Sequence, residues 1–300
     1  MSRRILYFIN PISGTKDKQR LLELISHRTK KAGIDFEILN TIKSGDYSFL
    51  PEKITTEKIT DIVICGGDGT ISNITSYIKG LSVNVGIIPM GSGNGLAFAA
   101  GISRNPKKAL EIIFDGKPRW IDGFNLNNHF SCMLSGLGFD AQVAHDFSQQ
   151  KKRGLFTYII QATKNFFKTK NYPFLIEVNN HTVHVEAFFI CIANSNQFGN
   201  NVTIAPQASL SDGLLDIIIV TKMNKIKTML LLFKHIFQGK AQENAGLLSG
   251  KKGIIYIQST EVKIINSFNA PLHIDGEPVE SSETVEIKII PNAIKLIQPA

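Results

Sequence analysis

The stretch Gly66-Gly67-Asp68-Gly69-Thr70 constrains this chain more than any other part of it. It closes the apolar run Asp61-Ile62-Val63-Ile64-Cys65, which has the pattern of a buried strand, and it precedes a helical start at Ile71-Ser72-Asn73-Ile74. Glycines at 66, 67 and 69 permit positive φ and let the backbone approach a ligand with no Cβ in the way. Successive amide N–H groups at such a turn, aimed by a helix N-terminus, bind phosphate. The pentapeptide arises by chance in roughly one chain of this length in a few thousand. A carboxylate beside phosphates is repulsive unless a cation or a proton donor intervenes. The loop is therefore expected either to handle phosphate together with Mg2+ or to hold Asp68 aside. The plain alternative is an ordinary turn aspartate.

Strands and helices alternate over the first 120 residues. Strands are expected at Ile5–Asn10, Phe36–Leu39, Asp61–Cys65 and Val83–Pro89, with a helix over Lys18–Lys31 ended by Gly33. Such alternation predicts a parallel sheet with helices on both faces, and ligands beyond the carboxyl ends of its strands. Past Trp120-Ile121-Asp122 the texture becomes β-rich. Asn127-Asn128 and Asn179-Asn180 read as tight turns. Strands recur at Thr182–Ala193, Leu215–Val220, Ile254–Gln258, Val262–Ile265 and Val285–Ile290. The expected organisation is an α/β nucleotide-binding domain with a parallel sheet over 1–122, to which 291–300 is a candidate return. A β-sandwich C-terminal domain with inserted helices follows over 123–290, closely joined to the first with a cleft between them.

Composition bears on compartment and partners. Cys65, Cys132 and Cys191 lie in apolar runs without metal-ligand spacing, which points to a reducing, cytoplasmic setting. The apolar run at Ile5–Ile9 is too short for a signal peptide, and no run approaches the ~18 apolar residues of a membrane span. The net charge of +8 favours anionic partners. It concentrates in Lys151-Lys152-Arg153 ahead of a helical pattern ending at Lys170, and in Lys225-Ile226-Lys227 ahead of Met229–Phe237. Both read either as core-packed helices with solvated lysines or as basic amphipathic helices resting on anionic lipid. No aromatic-interleaved basic motif or helix-turn-helix spacing favours nucleic acid.

Further loops follow other strands. Asn10-Pro11-Ile12-Ser13-Gly14 can hold phosphate or ribose. Gly91-Ser92-Gly93-Asn94-Gly95 follows the fourth strand rather than the first, so it reads as a second nucleotide-contacting turn and not a dinucleotide fingerprint. There is no Gly-x-x-x-x-Gly-Lys-Ser/Thr sequence. Asp212 and Asp216 can offer hard oxygens to Mg2+, or form an Asp-Gly turn and a strand end. His273-Ile274-Asp275-Gly276-Glu277 is a β-turn with two carboxylates, one of which can take a hydroxyl proton. The seven histidines show no metal spacing.

Taken in order, these blocks resemble the diacylglycerol kinase catalytic-domain family, which includes sphingosine kinase-like and bacterial lipid kinases. The matching residues are Asn10–Gly14, Gly66–Asn73, Gly91–Ala97, Gly136-Leu137-Gly138-Phe139-Asp140-Ala141, Ala205-Pro206 with Asp212–Asp216, and Asp275–Glu277. The resemblance implies a nucleotide-binding α/β domain, a β-sandwich and ATP between them. It implies ATP contacts from Asn10, Pro11, Ile12, Ser13, Gly14, Thr41, Gly66, Gly67, Asp68, Gly69, Thr70, Ile71, Ser72, Ser92, Gly93 and Asn94. It implies Mg2+ held by Asp212 with backbone oxygens of Ser209 and Leu214, Glu277 as general base, and Asp68 and Asp122 as supporting acids. Ser92 stands where the family usually has Thr, and Gly95 replaces a common Asp or Ala.

The activity so implied is ATP- and Mg2+-dependent phosphorylation of a hydroxyl on a membrane lipid such as diacylglycerol, a sphingoid base or a related glycerolipid. The enzyme would be cytoplasmic and peripheral at the inner membrane face. An apolar groove for the acyl tails is expected in the β-domain with the helices at 154–167 and 226–237. Two other readings remain at this stage: a nucleotide- and lipid-binding sensor with little turnover, and a kinase with a soluble substrate related to nicotinamide-dinucleotide kinases. These patterns do not fix the oligomeric state, a homodimer being one option.

Overall fold

The computed structural model describes residues 3–14, 18–150, 155–199, 202–229 and 253–300. The chain divides into two units, Met1–Asp122 with Pro291–Ala300, and Gly123–Ile290. The first runs β1 (Arg4–Ile9), α1 (Lys18–Lys31), β2 (Asp35–Asn40), α2 (Leu50–Thr56), β3 (Asp61–Gly66), α3 (Asp68–Ser76), β4 (Asn84–Pro89), α4 (Gly95–Ala99) and α5 (Pro106–Asp115). Strand β5 (Lys117–Leu126) leads onward to β6 (His129–Ser131), β7 (Leu134–Gly138), α6 (Phe139–Ser148), α7 (Leu155–Lys168), β8 (Tyr172–Val178), β9 (His181–Ala193), β10 (Gln197–Gly199) and β11 (Val202–Thr203). Then come β12 (Leu215–Thr221), β13 (Ile254–Ser259), β14 (Glu261–Ile265), β15 (Leu272–Ile274), β16 (Glu277–Val279) and β17 (Thr284–Gln298).

In the first unit the strand order is β2-β1-β3-β4-β17, and every pairing is parallel. Burial follows the sequence pattern. Every residue of β3 is buried, as are all but the first of β1 and β4, while β2 at the edge has none. Helix α1 buries Leu21, Ile25 and Thr29, a stripe at i, i+4 and i+8. It ends ahead of Gly33, whose φ of +67° a Cβ would disfavour. Helix α5 is capped by Asn105, which accepts from the Lys107 amide at 2.9 Å, and it opens with Pro106. From β1 the chain first builds outward to β2 and then returns to place β3 on the other side of β1. Strands β1 and β3 therefore flank the topological switch point, where loops diverge and leave a crevice at the carboxyl ends.

The second unit is antiparallel and centres on the long strand β9. Its first half pairs with β8, its second half with β7, and β12 lies along its other side. Alternate residues Ile190 and Ile192 of β9, Leu215, Ile217 and Ile219 of β12, Val262 and Ile264 of β14, and Val285, Ile287 and Ile289 of β17 enter one apolar core. That period of two gives the sandwich-like packing expected from the sequence. The opposite face of β9 meets the helices, where Phe188 stacks on Phe139 of α6 with ring centroids 4.7 Å apart. The Asn179-Asn180 turn takes φ of 50° and 60°, the paired positive values of a type I′ hairpin, between partners Val178 and His181. At Asn127-Asn128 only Asn127 is left-handed, with φ of 47°.

Of the two basic segments, Lys151-Lys152-Arg153 lies outside the described residues, as does the second beyond Met229. Helix α7 keeps Gln161 and Asn165 buried and exposes Ile159, Ile160 and Phe167. No helix among the described residues is long and apolar enough to cross a membrane.

Candidate active site

The loops after β1, β3 and β4 meet at the switch point of the first unit. Helix α3 begins at Asp68, three residues before the start expected at Ile71, so Gly69 is helical. None of Gly66, Gly67 and Gly69 takes positive φ; Gly67 is the helix N-cap, extended at φ −100° and ψ −177°. What requires glycine here is space. A Cβ on Gly67 would lie 3.0 Å from the Gly91 Cα, and one on Gly91 only 2.6 Å from the Gly67 Cα. A Cβ on Gly66 would meet the Thr70 side chain at 2.8 Å. A glycine cap also brings no side chain to cover the first-turn amides of α3, which have no intrahelical acceptor and lie at the positive end of the helix dipole.

Asp68 is engaged by the loop that follows β4. Its carboxylate accepts from the amides of Gly95 at 3.1 Å and Leu96 at 3.4 Å, the first two residues of α4. Asn94 folds back on its own loop, accepting from the Gly91 amide and donating to the Gly91 carbonyl, both at 2.8 Å. It is left-handed (φ 55°, ψ 43°) and buried, so its side chain shapes the turn. Ser92 and Gly93 are half-buried on that turn.

The loop after β1 is tied to the same cluster. Asn10 Nδ2 donates to Thr70 Oγ1 at 2.9 Å, and Asn10 Oδ1 accepts from the Ile12 amide at 3.1 Å. Ser13 Oγ donates to the Asn10 carbonyl at 3.0 Å. At Gly14, φ is +66° and a Cβ would sit 2.7 Å from the Met90 carbonyl, so this position needs glycine on both counts. Pro11 and Ile12 are exposed. Ile71 belongs to the core, its amide bonded to the Gly67 carbonyl at 3.1 Å, and Ser72 is buried beside it. Thr41 extends the sheet through its amide to the Ile9 carbonyl at 3.0 Å. Sequence reasoning missed Lys18. Its Nζ donates to the Ser13 carbonyl and lies 3.9 Å from the Met90 sulfur, and partial burial lowers its pKa. A lysine opening the helix after a glycine loop was the available signal.

Asp122 is buried at the boundary of the first unit and accepts from the Asn292 amide at 2.8 Å. In the second unit Asp212 is exposed and accepts from the Leu214 amide at 3.1 Å across Gly213 (φ 74°). Asp216 is fully buried. Its Oδ1 takes hydrogen bonds from Tyr256 Oη and from Gln258 Nε2, while Oδ2 has no partner. Burial pushes its carboxyl up to about 6, against the two hydrogen bonds and with a small push from Asp212. Among the described residues no three His, Cys, Asp or Glu side chains gather as a metal site. The unpartnered Oδ2 of Asp216 and the exposed carboxylate of Asp212 are hard oxygens, the donor type that Mg2+ takes. Glu277 is exposed at the start of β16, just after the Asp275-Gly276 turn, whose φ values of 53° and 78° make a type I′ hairpin.

Residues 4–126 match the diacylglycerol kinase catalytic domain, and residues 134–298 match the YegS C-terminal NAD kinase beta sandwich-like domain. The chain belongs to the diacylglycerol kinase family. Such enzymes are phosphotransferases, and the resemblance drawn from the motifs is borne out. A diacylglycerol kinase of Bacillus subtilis is 26% identical over 284 residues, covering 91% of this chain and 89% of the relative. One from Staphylococcus aureus is 27% identical over 281 residues, covering 92% and 87%. A crystal structure of a diacylglycerol kinase from Bacillus anthracis shares the fold, with a TM-score of 0.74 at 19% identity over 99% of this chain and 97% of that one. Both layers expected from the sequence, the parallel α/β part and the sandwich-like part, are thus those of diacylglycerol kinases.

Proposed function

We propose that this chain transfers the γ-phosphoryl group of ATP, with Mg2+, to the hydroxyl of a membrane lipid such as diacylglycerol, a sphingoid base or a related glycerolipid. The observation that carries the reading is the joining of three glycine loops at one switch point through Asn10–Thr70, Gly67–Gly91 and Asp68–Gly95. Phosphoryl transfer asks the protein for positioning and charge neutralisation rather than covalent chemistry. The positive end of the α3 dipole and the ammonium of Lys18 supply positive potential for the phosphates. Asp68, engaged by two amides, adds little repulsion there and instead fixes α4 against the phosphate loop.

Glu277 is the proposed general base. As the lipid oxygen bonds to the γ-phosphorus, the bond to the β-phosphate bridging oxygen breaks. ADP departs, and the hydroxyl proton passes to the Glu277 carboxylate. Asp212 with the carbonyls of Ser209 and Leu214 would hold Mg2+, and the lone Oδ2 of Asp216 is a buried oxygen suited to the same cation. When bound, the ion neutralises phosphate charge. Helix α7, with its exposed Ile159, Ile160 and Phe167 beside exposed Lys164 and Lys168, suits a peripheral docking role at an anionic membrane.

Labelled ATP and a mixed lipid extract test the reading. A labelled lipid, absent when Mg2+ is chelated, is the expected product. Label in soluble acceptors alone, with no flotation on anionic vesicles at low salt, would favour a soluble substrate instead.

A further inference from the structure

We propose that His273, oriented by Asp140, is a positioning residue that fixes the turn presenting Glu277. This rests on the reading of Glu277 as general base. His273 and Asp140 are both buried, with side chains 3% and 5% exposed, and His273 Nε2 lies 3.3 Å from Asp140 Oδ2. On the other side of the ring, Nδ1 accepts from the Gly276 amide at 3.2 Å. A ring nitrogen that accepts an N–H cannot carry a proton of its own, so the tautomer is set: the proton sits on Nε2 and is directed at Asp140. One imidazole thus links a buried carboxylate to the backbone of the residue immediately before Glu277.

The surroundings are built for this link. A Cβ on Gly136 would overlap Asp140 Oδ2 and come within 2.8 Å of His273 Nε2, so only glycine lets the two meet. Gly138, the N-cap of α6, takes φ of 93°, and a Cβ there would be 2.7 Å from the Phe188 carbonyl. That turn starts α6 one residue before Asp140, whose Oδ1 is satisfied by the Ala141 amide at 2.9 Å, leaving Oδ2 for the ring. The other half of the hairpin tip is pinned as well. Asp275 Oδ1 accepts from Ser131 Oγ at 2.6 Å and from the Leu134 amide at 3.2 Å. A general base misplaced by about 1 Å can lose on the order of 100-fold in rate, so a turn held this firmly suits the placing of Glu277. An exposed hairpin with no reactive tip would not need a buried His–Asp pair.

The test separates the two hydrogen bonds of the ring. His273→Asn puts an amide oxygen near the Nδ1 position and keeps the acceptor for Gly276, whereas His273→Gln reaches the Nε2 position and keeps only the donor to Asp140. His273→Leu keeps neither. Each full-length variant is assayed for transfer from labelled ATP to diacylglycerol in phosphatidylglycerol vesicles, with Tm and Gly276 amide exchange measured alongside. His273→Asn is expected to keep at least about a third of kcat, and the Gln and Leu variants to lose ~10–100-fold in kcat with KM for ATP within about 2-fold. Gly276 exchange should stay slow in the Asn variant and rise at least ~10-fold in the other two. Full kcat in folded His273→Gln, or equal loss in Asn and Gln, overturns the proposal. Should the Leu variant not fold, the Asn and Gln pair decides. Normal turnover by Glu277→Ala would instead remove the base assignment, while Gly276 exchange still reports whether His273 holds the turn.

Discussion

The Asp68 carboxylate caps the start of α4 through the Gly95 amide, 3.1 Å away, although 27 residues separate the two in sequence. The bond joins the loop after β3 to the loop after β4, and the contact of Gly67 with Gly91 lies beside it. Asp68→Ala removes a charge-assisted cap and frees α4 to shift against the phosphate loop. The expected result is a fall in kcat of at least ~100-fold, the scale of misplacing a substrate-positioning loop by about 1 Å. Steady-state transfer from labelled ATP, with circular dichroism to show that the variant folds, checks it.

Gly91→Ala should be a damaging single methyl at the junction of the two loops. Its Cβ would stand 2.6 Å from the Gly67 Cα, a backbone atom that cannot swing away, and 3.0 Å from Asn94 Oδ1, which is tied to the Gly91 amide. A loss of about 1–3 kcal/mol in urea unfolding is expected, together with a higher KM for ATP. Stability and KM equal to the parent would mean that the two loops are not held together as described.

Chelation of Mg2+ should abolish transfer, and Asp212→Ala should raise the Mg2+ concentration for half-maximal rate at least ~10-fold. Titrating Mg2+ at fixed ATP measures this. An unchanged Mg2+ curve for Asp212→Ala would move the metal away from residues 209–216.

Ile159 and Phe167 are 51% and 68% exposed on α7, a large apolar presence for a solvated helix. The double variant Ile159→Asp with Phe167→Asp should float less with anionic vesicles and show a raised apparent KM for lipid, with Tm unchanged. Salt should weaken vesicle binding by the parent chain, because the lysines beside these residues act through screened charge. Equal flotation of parent and variant would remove α7 from the docking surface.

Much of the fold is legible in the sequence. Alternating apolar runs gave β1, β3 and β4, since strands buried on both faces must be continuous hydrophobic runs. Gly33 marked the end of α1, and the Asn179-Asn180 pair marked a hairpin whose two positive φ values suit asparagine. Of the two properties read for the glycines at 66, 67 and 69, positive φ is used at none of them. Their permissive φ was the visible property, while the close approach of Gly91 is a tertiary fact with no local signature. The start of α3 was placed late for a related reason: glycine is a poor helix former, so Gly69 looked like loop, yet the tertiary cap and buried Ile71 and Ile74 outweigh its propensity. The Asp140–His273 pair joins residues 133 apart, and a single histidine in a β-turn pattern carries no sign of such a partner. Asp216 was visible as an acid at a strand end, but its unpartnered oxygen is a property of burial alone.

The most direct measurement is single-turnover transfer of labelled γ-phosphate from ATP to vesicle-borne diacylglycerol, run side by side for the parent chain and Glu277→Ala. Labelled lipid from the parent, with the rate in the variant lower by at least ~100-fold and ATP affinity unchanged, is the predicted result. No labelled lipid from the parent, or a normal rate from a folded Glu277→Ala, would contradict it.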